Sequence, residues 1–177
     1  ISGILGLIKA NDIAIPEIQR PFVWKNKQVR DLIDSLYRGY PVGYIILWKN
    51  PNVKLKDGTM SSGKKVLIDG QQRITALMTA IAGKEIYNND YKLCRVKIAY
   101  NPIAALSEDD EAEIFAVQTP IHLKSKNWIP DIADIFKDDF SSFSFISSYC
   151  KNNPDVTPEQ LEQALSKLKT ICNQSIG

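Results

Sequence analysis

Residues 65–81 have the sequence Lys-Val-Leu-Ile-Asp-Gly-Gln-Gln-Arg-Ile-Thr-Ala-Leu-Met-Thr-Ala-Ile. The apolar run 66–68 is too short for a helix and lies between Gly63 and Gly70, so it predicts a buried strand. Four later apolar residues have the i, i+3, i+4, i+7 spacing of one helical face: Ile74, Leu77, Met78 and Ile81. We therefore expect a strand that turns sharply through Gly70 into a helix.

The five residues that join this strand to the helix have no packing role of their own: Asp69, Gly70, Gln71, Gln72 and Arg73. A helix start leaves backbone N–H groups without acceptors and carries the positive end of the helix dipole. Such a junction binds anions, and here it also carries an arginine. The alternative is a polar turn that only connects two core elements. The combination of a carboxylate, two amides and a guanidinium favours a binding site, because any polar residues would satisfy solvation.

The charge of the chain is distributed unevenly. The net charge is +2, but residues 1–104 contain 16 basic and 8 acidic residues (+8), whereas residues 105–177 contain 6 and 12 (−6). The basic part includes the Asp-Gly-Gln-Gln-Arg turn, which suits a polyanionic ligand or partner. Enzymes of small phosphates show a similar excess, so charge alone does not indicate nucleic acid.

The composition is that of an ordinary soluble domain, with 44% hydrophobic and 24% charged residues. No run approaches the ~20 apolar residues of a membrane span and no signal peptide is evident, so we expect no membrane association.

Three distant cysteines, Cys94, Cys150 and Cys172, fit neither a disulfide framework nor a zinc site and favour the reducing cytoplasm. His122 is the only histidine, which argues for a structural role and against a Ser-His-Asp triad.

The segment 13–24 contains two prolines, which forbid a helix and confine any strand to a sheet edge. Gln19 and Arg20 lie between apolar residues, so Arg20 is held on a stiff segment. Arg20 is either part of a binding site or a surface arginine on an edge strand, and the sequence favours neither.

The remaining patterns predict an α+β domain over residues 1–135. We expect one small mixed sheet with strands near 13–24, 43–48, 65–69, 93–99 and 114–118, flanked by helices 1–10, 27–38 and 73–82. Residues 136–177 begin a helical extension, with a capping box at Thr157, and we expect the natural protein to continue beyond it. Residues 58–65 nearly match a P-loop, but they precede a strand instead of opening a helix, so we interpret them as a loop.

Three motifs occur in a specific order along the chain: Ile15-Pro16-x-Ile18-Gln19-Arg20-x-Phe22-x-Trp24, Pro41-Val42-Gly43 before an apolar strand ending in Trp48, and Asp69-Gly70-Gln71-Gln72-Arg73. In this order the chain resembles the N-terminal domain of the GmrSD-type modified-DNA restriction endonucleases, a family placed in the ParB/sulfiredoxin-like fold. The resemblance spans roughly residues 1–135. Ile18 stands where the family usually has tyrosine, and the Asp-Gly-Gln-Gln-Arg motif is intact.

The resemblance implies a domain that binds and hydrolyses nucleoside triphosphates and works in defence against phage or foreign DNA with modified bases. It also implies DNA as a partner, together with an HNH-type nuclease module. Such a module needs several histidines, and this chain has one, so we expect the nuclease to lie outside these 177 residues.

The expected phosphate site combines the two basic motifs. The turn at Gly70 would let the backbone N–H groups of residues 71–73 cradle phosphates, with Arg73 and Arg20 as clamps and Gln19 beside Arg20. This hypothesis requires the segment 13–24 to lie next to the turn.

The expected catalytic groups come from the turn itself. Asp69 would hold Mg²⁺, directly or through water, and Gln71 or Gln72 would orient the attacking water, as a glutamine does in some GTPases. Two alternatives remain open. The same arginines could contact DNA phosphates without hydrolysis, or the motif could only stiffen the sheet edge, with Asp69 paired to Arg20 or Arg73.

Overall fold

The computed structural model describes residues 1–10, 12–14, 21–49, 52–55, 58–107, 109 and 111–173. Its α-helices are α1 (Ser2–Lys9), α2 (Asn26–Tyr37), α3 (Gln71–Ala80), α4 (Pro102–Leu106), α5 (Pro120–Lys124), α6 (Ser142–Asn152) and α7 (Pro158–Lys169). Its strands are β1 (Ile13–Ala14), β2 (Ile46–Lys49), β3 (Lys65–Asp69), β4 (Ile86–Tyr87), β5 (Leu93–Cys94), β6 (Ile98–Tyr100) and β7 (Phe115–Val117). Two 3₁₀ helices span Ile132–Phe136 and Thr170–Asn173. The α+β class is confirmed.

The predicted strand–turn–helix unit is confirmed and lies at the centre of the first sheet. Val66 and Leu67 are buried as expected, but Ile68 is 48% exposed, so the prediction of a buried residue there is wrong. β3 pairs in parallel with β1 and antiparallel with β2, which gives the order β1-β3-β2. Gly70 follows β3 directly and α3 begins at Gln71. Residues 58–65, which nearly match a P-loop, lead into β3 as predicted and open no helix among the described residues.

The other strands do not join this sheet, so the expectation of one mixed sheet is wrong. β4 and β5 form a hairpin, and β6 and β7 form a third, two-stranded sheet. The strand predicted over residues 93–99 is broken because the backbone N–H of Val96 donates to Thr79 Oγ1 of α3, at 2.8 Å. A helix side chain thus replaces a strand partner. Of the strand predicted over residues 13–24, Ile13–Ala14 is present, and residues 15–20 lie outside the described ranges.

The core is built on α2 and α3, which pack against each other. The predicted apolar stripe of α2 is buried as expected: Val29, Leu32, Ile33, Leu36 and Tyr37. Ile74, Ala76, Leu77 and Ala80 of α3 are completely buried. Because α3 is enclosed in this way, the direction in which its N-terminus points is fixed by the core.

The C-terminal helices pack on the same core. α7 contacts α4 and α6, and it buries Leu161, Leu165 and Leu168. Its predicted capping box is confirmed, because Thr157 Oγ1 accepts from the N–H of Gln160 and Gln160 Oε1 accepts from the N–H of Thr157. The predicted structural role of His122 is also seen: its Nδ1 accepts from the N–H of Thr119 at the start of α5.

Candidate phosphate-binding turn

The turn between β3 and α3 requires a glycine at position 70. Gly70 has φ +88°, in the left-handed region, and a Cβ there would lie 2.8 Å from Ile45 Cγ1 and 3.2 Å from the carbonyl oxygen of Tyr44. The absence of a side chain lets the backbone of residues 44–45 pass close to the start of α3. The sequence identified this glycine, but its packing reason is tertiary.

The N-terminus of α3 opens onto a cavity. Gly70 provides no side-chain cap to the first-turn N–H groups of the helix. The cavity has a volume of about 410 Å³ and is lined by Trp24, Ile68 and residues 69–73, a volume within the range of about 300–1,000 Å³ that small-molecule sites occupy. The five residues singled out in the sequence therefore line one concave surface, together with an aromatic ring from the segment before α2.

Arg73 holds a neighbouring segment in place. Its Nη1 donates to the carbonyl of Val42 at 3.1 Å, and its Nη2 donates to the carbonyl of Tyr44 at 2.5 Å. Gly43 lies between these two carbonyls with φ +84°, and a Cβ there would come within 2.6 Å of Nη1. The Pro-Val-Gly motif and the arginine of the turn are thus parts of one contact, which the sequence showed only as two separate motifs.

The guanidinium of Arg73 retains donor capacity. Its Nη2 also lies 3.3 Å from Asp69 Oδ2, whereas its Nε is buried without a hydrogen-bond partner. A guanidinium carries five N–H donors, and the contacts to Val42, Tyr44 and Asp69 use three of them. The side chain is 22% exposed, so an anion in the cavity can reach part of it.

Gln72 is held by backbone groups of the segment before α2. Its Oε1 accepts from the N–H groups of Val23 and Trp24, at 3.0 and 3.3 Å, and its Nε2 donates to the carbonyl of Pro21 at 3.1 Å. The side chain is buried. Gln72 therefore fixes Trp24 beside the turn. The hypothesis needed the amide of Gln72 to contact a water molecule, but both ends of this amide are hydrogen-bonded to backbone groups.

Gln71 and Asp69 differ strongly in exposure. Gln71 is buried and lines the cavity, whereas the Asp69 side chain is 65% exposed. The carboxylate of Asp69 has one modest ion pair, to Arg73, and is otherwise open to the cavity. Gln19 and Arg20, the other two predicted binding residues, lie outside the described residues.

A preformed metal centre is not seen in the described part of the chain, where no three His, Cys, Asp or Glu side chains cluster suitably for an ion. Mg²⁺ at phosphate sites needs only one or two carboxylates, because it keeps several waters and takes the remaining ligands from phosphate. An exposed carboxylate at the edge of the cavity fits that requirement. Among the described residues, none of the helices is long and apolar enough to cross a membrane.

Comparison with known proteins identifies one family. The model of the GmrSD restriction endonuclease, N-terminal domain, matches residues 1–174 of this chain. A relative is the uncharacterized protein MJ0686 of Methanocaldococcus jannaschii, 28% identical over 101 residues, which cover 45% of this chain and 17% of the relative. The chain thus matches less than a fifth of the length of that relative.

Proposed function

The chain belongs to the GmrSD restriction endonuclease N-terminal domain family, and on this premise we propose that it is the nucleoside-triphosphate-binding regulatory domain of a modified-DNA restriction or phage-defence protein. The triphosphate binds at the turn between β3 and α3. The observation that carries the proposal is the cavity itself, because the Asp-Gly-Gln-Gln-Arg motif lines it and because it lies at the start of α3, whose N-cap residue Gly70 has no side chain.

The chemistry of the cavity suits phosphate oxygens. N–H groups at a helix start and the positive end of the dipole attract anions. The guanidinium of Arg73 lines the cavity and is 22% exposed, so its accessible N–H groups supply further donors to a phosphate. Because two other donors of Arg73 hold residues 42 and 44, binding of the phosphates is coupled to the position of that segment.

In the proposed site Asp69 would hold Mg²⁺, which would neutralise phosphate charge when bound. Arg73 would exchange its ion pair with Asp69 for a contact to phosphate, a small loss because the carboxylate is largely solvated. Hydrolysis requires an oriented water, and Gln71, which is buried and lines the cavity, would orient it. Gln72 already makes three hydrogen bonds to backbone groups, so its role is to position Trp24.

The proposed partners are DNA and an HNH-type nuclease module outside these residues. The excess of +8 among residues 1–104 favours contact with a polyanion as well as with a nucleotide. A DNA-contacting domain without hydrolysis is the second candidate function, and it rests on this charge excess together with membership of a restriction endonuclease family.

The experiment compares Arg73→Ala with a control, Arg38→Ala, by calorimetric titration of each nucleoside triphosphate with Mg²⁺. Arg38 is a partly exposed arginine paired with Asp34 and lies outside the lining of the cavity. Charge-assisted hydrogen bonds are worth ~1.5–3 kcal/mol, so Arg73→Ala weakens binding about tenfold to a hundredfold and Arg38→Ala does not. The contacts to residues 42 and 44 also make Arg73→Ala lower the melting temperature.

Two results separate the alternatives. If Arg73→Ala lowers the melting temperature but leaves the nucleotide affinity unchanged, the motif only stiffens the sheet edge. Absence of binding of all four triphosphates to the wild-type protein at millimolar concentration would refute the nucleotide site, and DNA binding that depends on Arg73 would then support the second candidate.

A further inference from the structure

A second cavity adjoins the phosphate-binding turn. Its volume is about 560 Å³, and Gln71 lines both cavities. The second cavity lies between the segment before α2, the face of α3 that carries Met78, and the β4–β5 hairpin. Its lining includes the aromatic rings of Phe22, Tyr87 and Tyr91. It is thus an apolar space next to the first cavity, with Gln71 in the wall of both.

The walls of this cavity are held together by backbone pairing. Phe22 forms an isolated parallel bridge with Asn88, which fixes the segment before α2 against the hairpin. Asn88 Oδ1 accepts from the N–H groups of Asp90 and Lys92, both at 2.9 Å, and these bonds close the hairpin turn. The cavity is therefore preformed among the described residues.

The two tyrosines form its open side. Tyr87 is 61% exposed and Tyr91 is 78% exposed although both line the cavity. Tyr91 also has φ +55°, a conformation that a bulky side chain rarely adopts. The hairpin turn thus holds an exposed aromatic ring at an unfavourable backbone position beside an apolar space.

The two cavities differ in their charged groups. The first has the start of α3, Arg73 and the carboxylate of Asp69, whereas Glu85 is the one charged side chain among the described residues that line the second. A carboxylate repels phosphate and accepts hydrogen bonds from N–H groups. A ligand with an anionic end and a neutral, aromatic, N–H-bearing end would fit the two cavities in one orientation.

We propose that the second cavity is a nucleobase subsite, in which the base stacks on Tyr87 and Tyr91. The inference rests on the proposed function, since it takes the triphosphate at the turn as the other half of the ligand. Aromatic side chains bind bases of any sequence by stacking, because every base has a π-face. The base belongs either to the nucleotide held at the turn or to DNA, from which a base would be extruded; the chemistry is shared, and the test separates the sources.

The test uses three probes on the same protein: a nucleoside triphosphate with Mg²⁺, inorganic tripolyphosphate with Mg²⁺, and the nucleoside alone. Tyr87→Thr keeps a β-forming residue in β4, and Tyr91→Asn puts a residue that tolerates positive φ at that position, so both variants remove a ring and preserve the hairpin. Phe143→Ala, which removes an 84% exposed ring of α6, is the matched control.

We expect each tyrosine variant to weaken triphosphate binding about tenfold and to leave tripolyphosphate binding unchanged. In the wild-type protein the nucleoside at millimolar concentration shifts the NMR signals of Tyr87 and Tyr91. Phe143→Ala changes none of these results. Melting curves confirm that the variants are folded.

Failure of the phosphate site and failure of the base subsite give different results. Nucleoside shifts at the tyrosines without binding of tripolyphosphate or triphosphate would refute the phosphate site and retain the base subsite; binding of single-stranded DNA that both tyrosine variants weaken would then assign the base to DNA. Equal affinity for triphosphate in wild type and both variants, with no nucleoside shift and no change in DNA binding, would overturn the subsite and leave the phosphate site standing.

Discussion

Two arginine–aspartate pairs, Arg73–Asp69 at the turn and Arg95–Asp131 at the start of the 3₁₀ helix Ile132–Phe136, differ in the burial of their carboxylates. Both arginine side chains are 22% exposed, but the Asp69 side chain is 65% exposed and that of Asp131 is 7% exposed. The closest atoms are 3.3 Å apart in the first pair and 2.7 Å in the second. The same two residue types thus form a loose, solvated pair at the candidate site and a tight, buried pair in the framework.

The surroundings of Asp131 explain its structural character. Its Oδ1 accepts from the N–H of Ala133 at the start of the 3₁₀ helix Ile132–Phe136, and its Oδ2 faces Arg95. A Cβ on Gly83 would lie 3.3 Å from Arg95 Nη2, so the guanidinium is enclosed from that side as well. A carboxylate that is 7% exposed and held by these contacts is inaccessible to a ligand from solvent. The exposed Asp69 is accessible.

The largest effect that this comparison predicts is the loss of the buried pair. Asp131→Ala leaves Arg95 without its partner and removes a helix cap, and breaking a buried ion pair costs ~3–5 kcal/mol. For a chain of this size each kcal/mol shifts the melting temperature by about 2–4 °C, so thermal unfolding should show a fall of about 6–20 °C.

Asp134→Ala is the matched control for that variant. Asp134 lies in the 3₁₀ helix that Asp131 caps and pairs with Lys137, but both side chains are more than half exposed. Its loss should change the melting temperature by about 3 °C or less. Equal effects of the two variants would show that burial does not distinguish the pairs.

The pH dependence of stability gives a smaller effect with a defined sign. Burial raises the pKa of Asp131 above its ordinary value, against the lowering influence of Arg95. The folded state therefore holds this proton more tightly than the unfolded state does. The resulting contribution is fully present below the unfolded pKa of about 3.9 and is lost as the pH rises through the higher folded pKa.

The measurement is urea unfolding of wild type and Asp131→Asn between about pH 3 and pH 6, since asparagine keeps the cap and does not titrate. The free energy of unfolding of wild type relative to the variant should fall as the pH rises through this range. A relative free energy that rises with pH would mean that the attraction of Arg95 outweighs burial and lowers the pKa.

The smallest effect on stability is expected at the turn. Asp69→Asn removes a solvated ion pair, so the free energy of unfolding should change by less than ~1 kcal/mol. The same variant should weaken Mg²⁺-dependent triphosphate binding, because an amide is a poorer ligand than a carboxylate for this ion. Titration of the triphosphate in the presence of Mg²⁺ and in EDTA shows whether the loss of affinity depends on the ion, and urea unfolding measures the effect on stability. A large fall in the melting temperature of Asp69→Asn would mean that Asp69, like Asp131, mainly stabilises the fold.

Much of the architecture could be predicted because it depends on local patterns. The spacing on α3 and the stripe on α2 each express a periodicity that a buried face imposes on neighbouring residues, and the short apolar run 66–68 predicted the strand β3. The capping box at Thr157 is equally local, since its hydrogen bonds join residues three apart. The arrangement of strands into three sheets was missed, because the pairing of β6 with β7 and the contact of Val96 with Thr79 join distant residues.

The sequence by itself determined that residues 69–73 join a partly buried strand to a buried helix, because glycine, periodicity and composition are properties of adjacent residues. Only the tertiary structure decided what each side chain does there. Gln72 binds the backbone of residues 21–24, some fifty positions earlier, and Arg73 binds that of residues 42 and 44. The sequence shows which donors and acceptors exist, whereas their partners depend on which distant backbone groups the packing of α3 brings within hydrogen-bond distance.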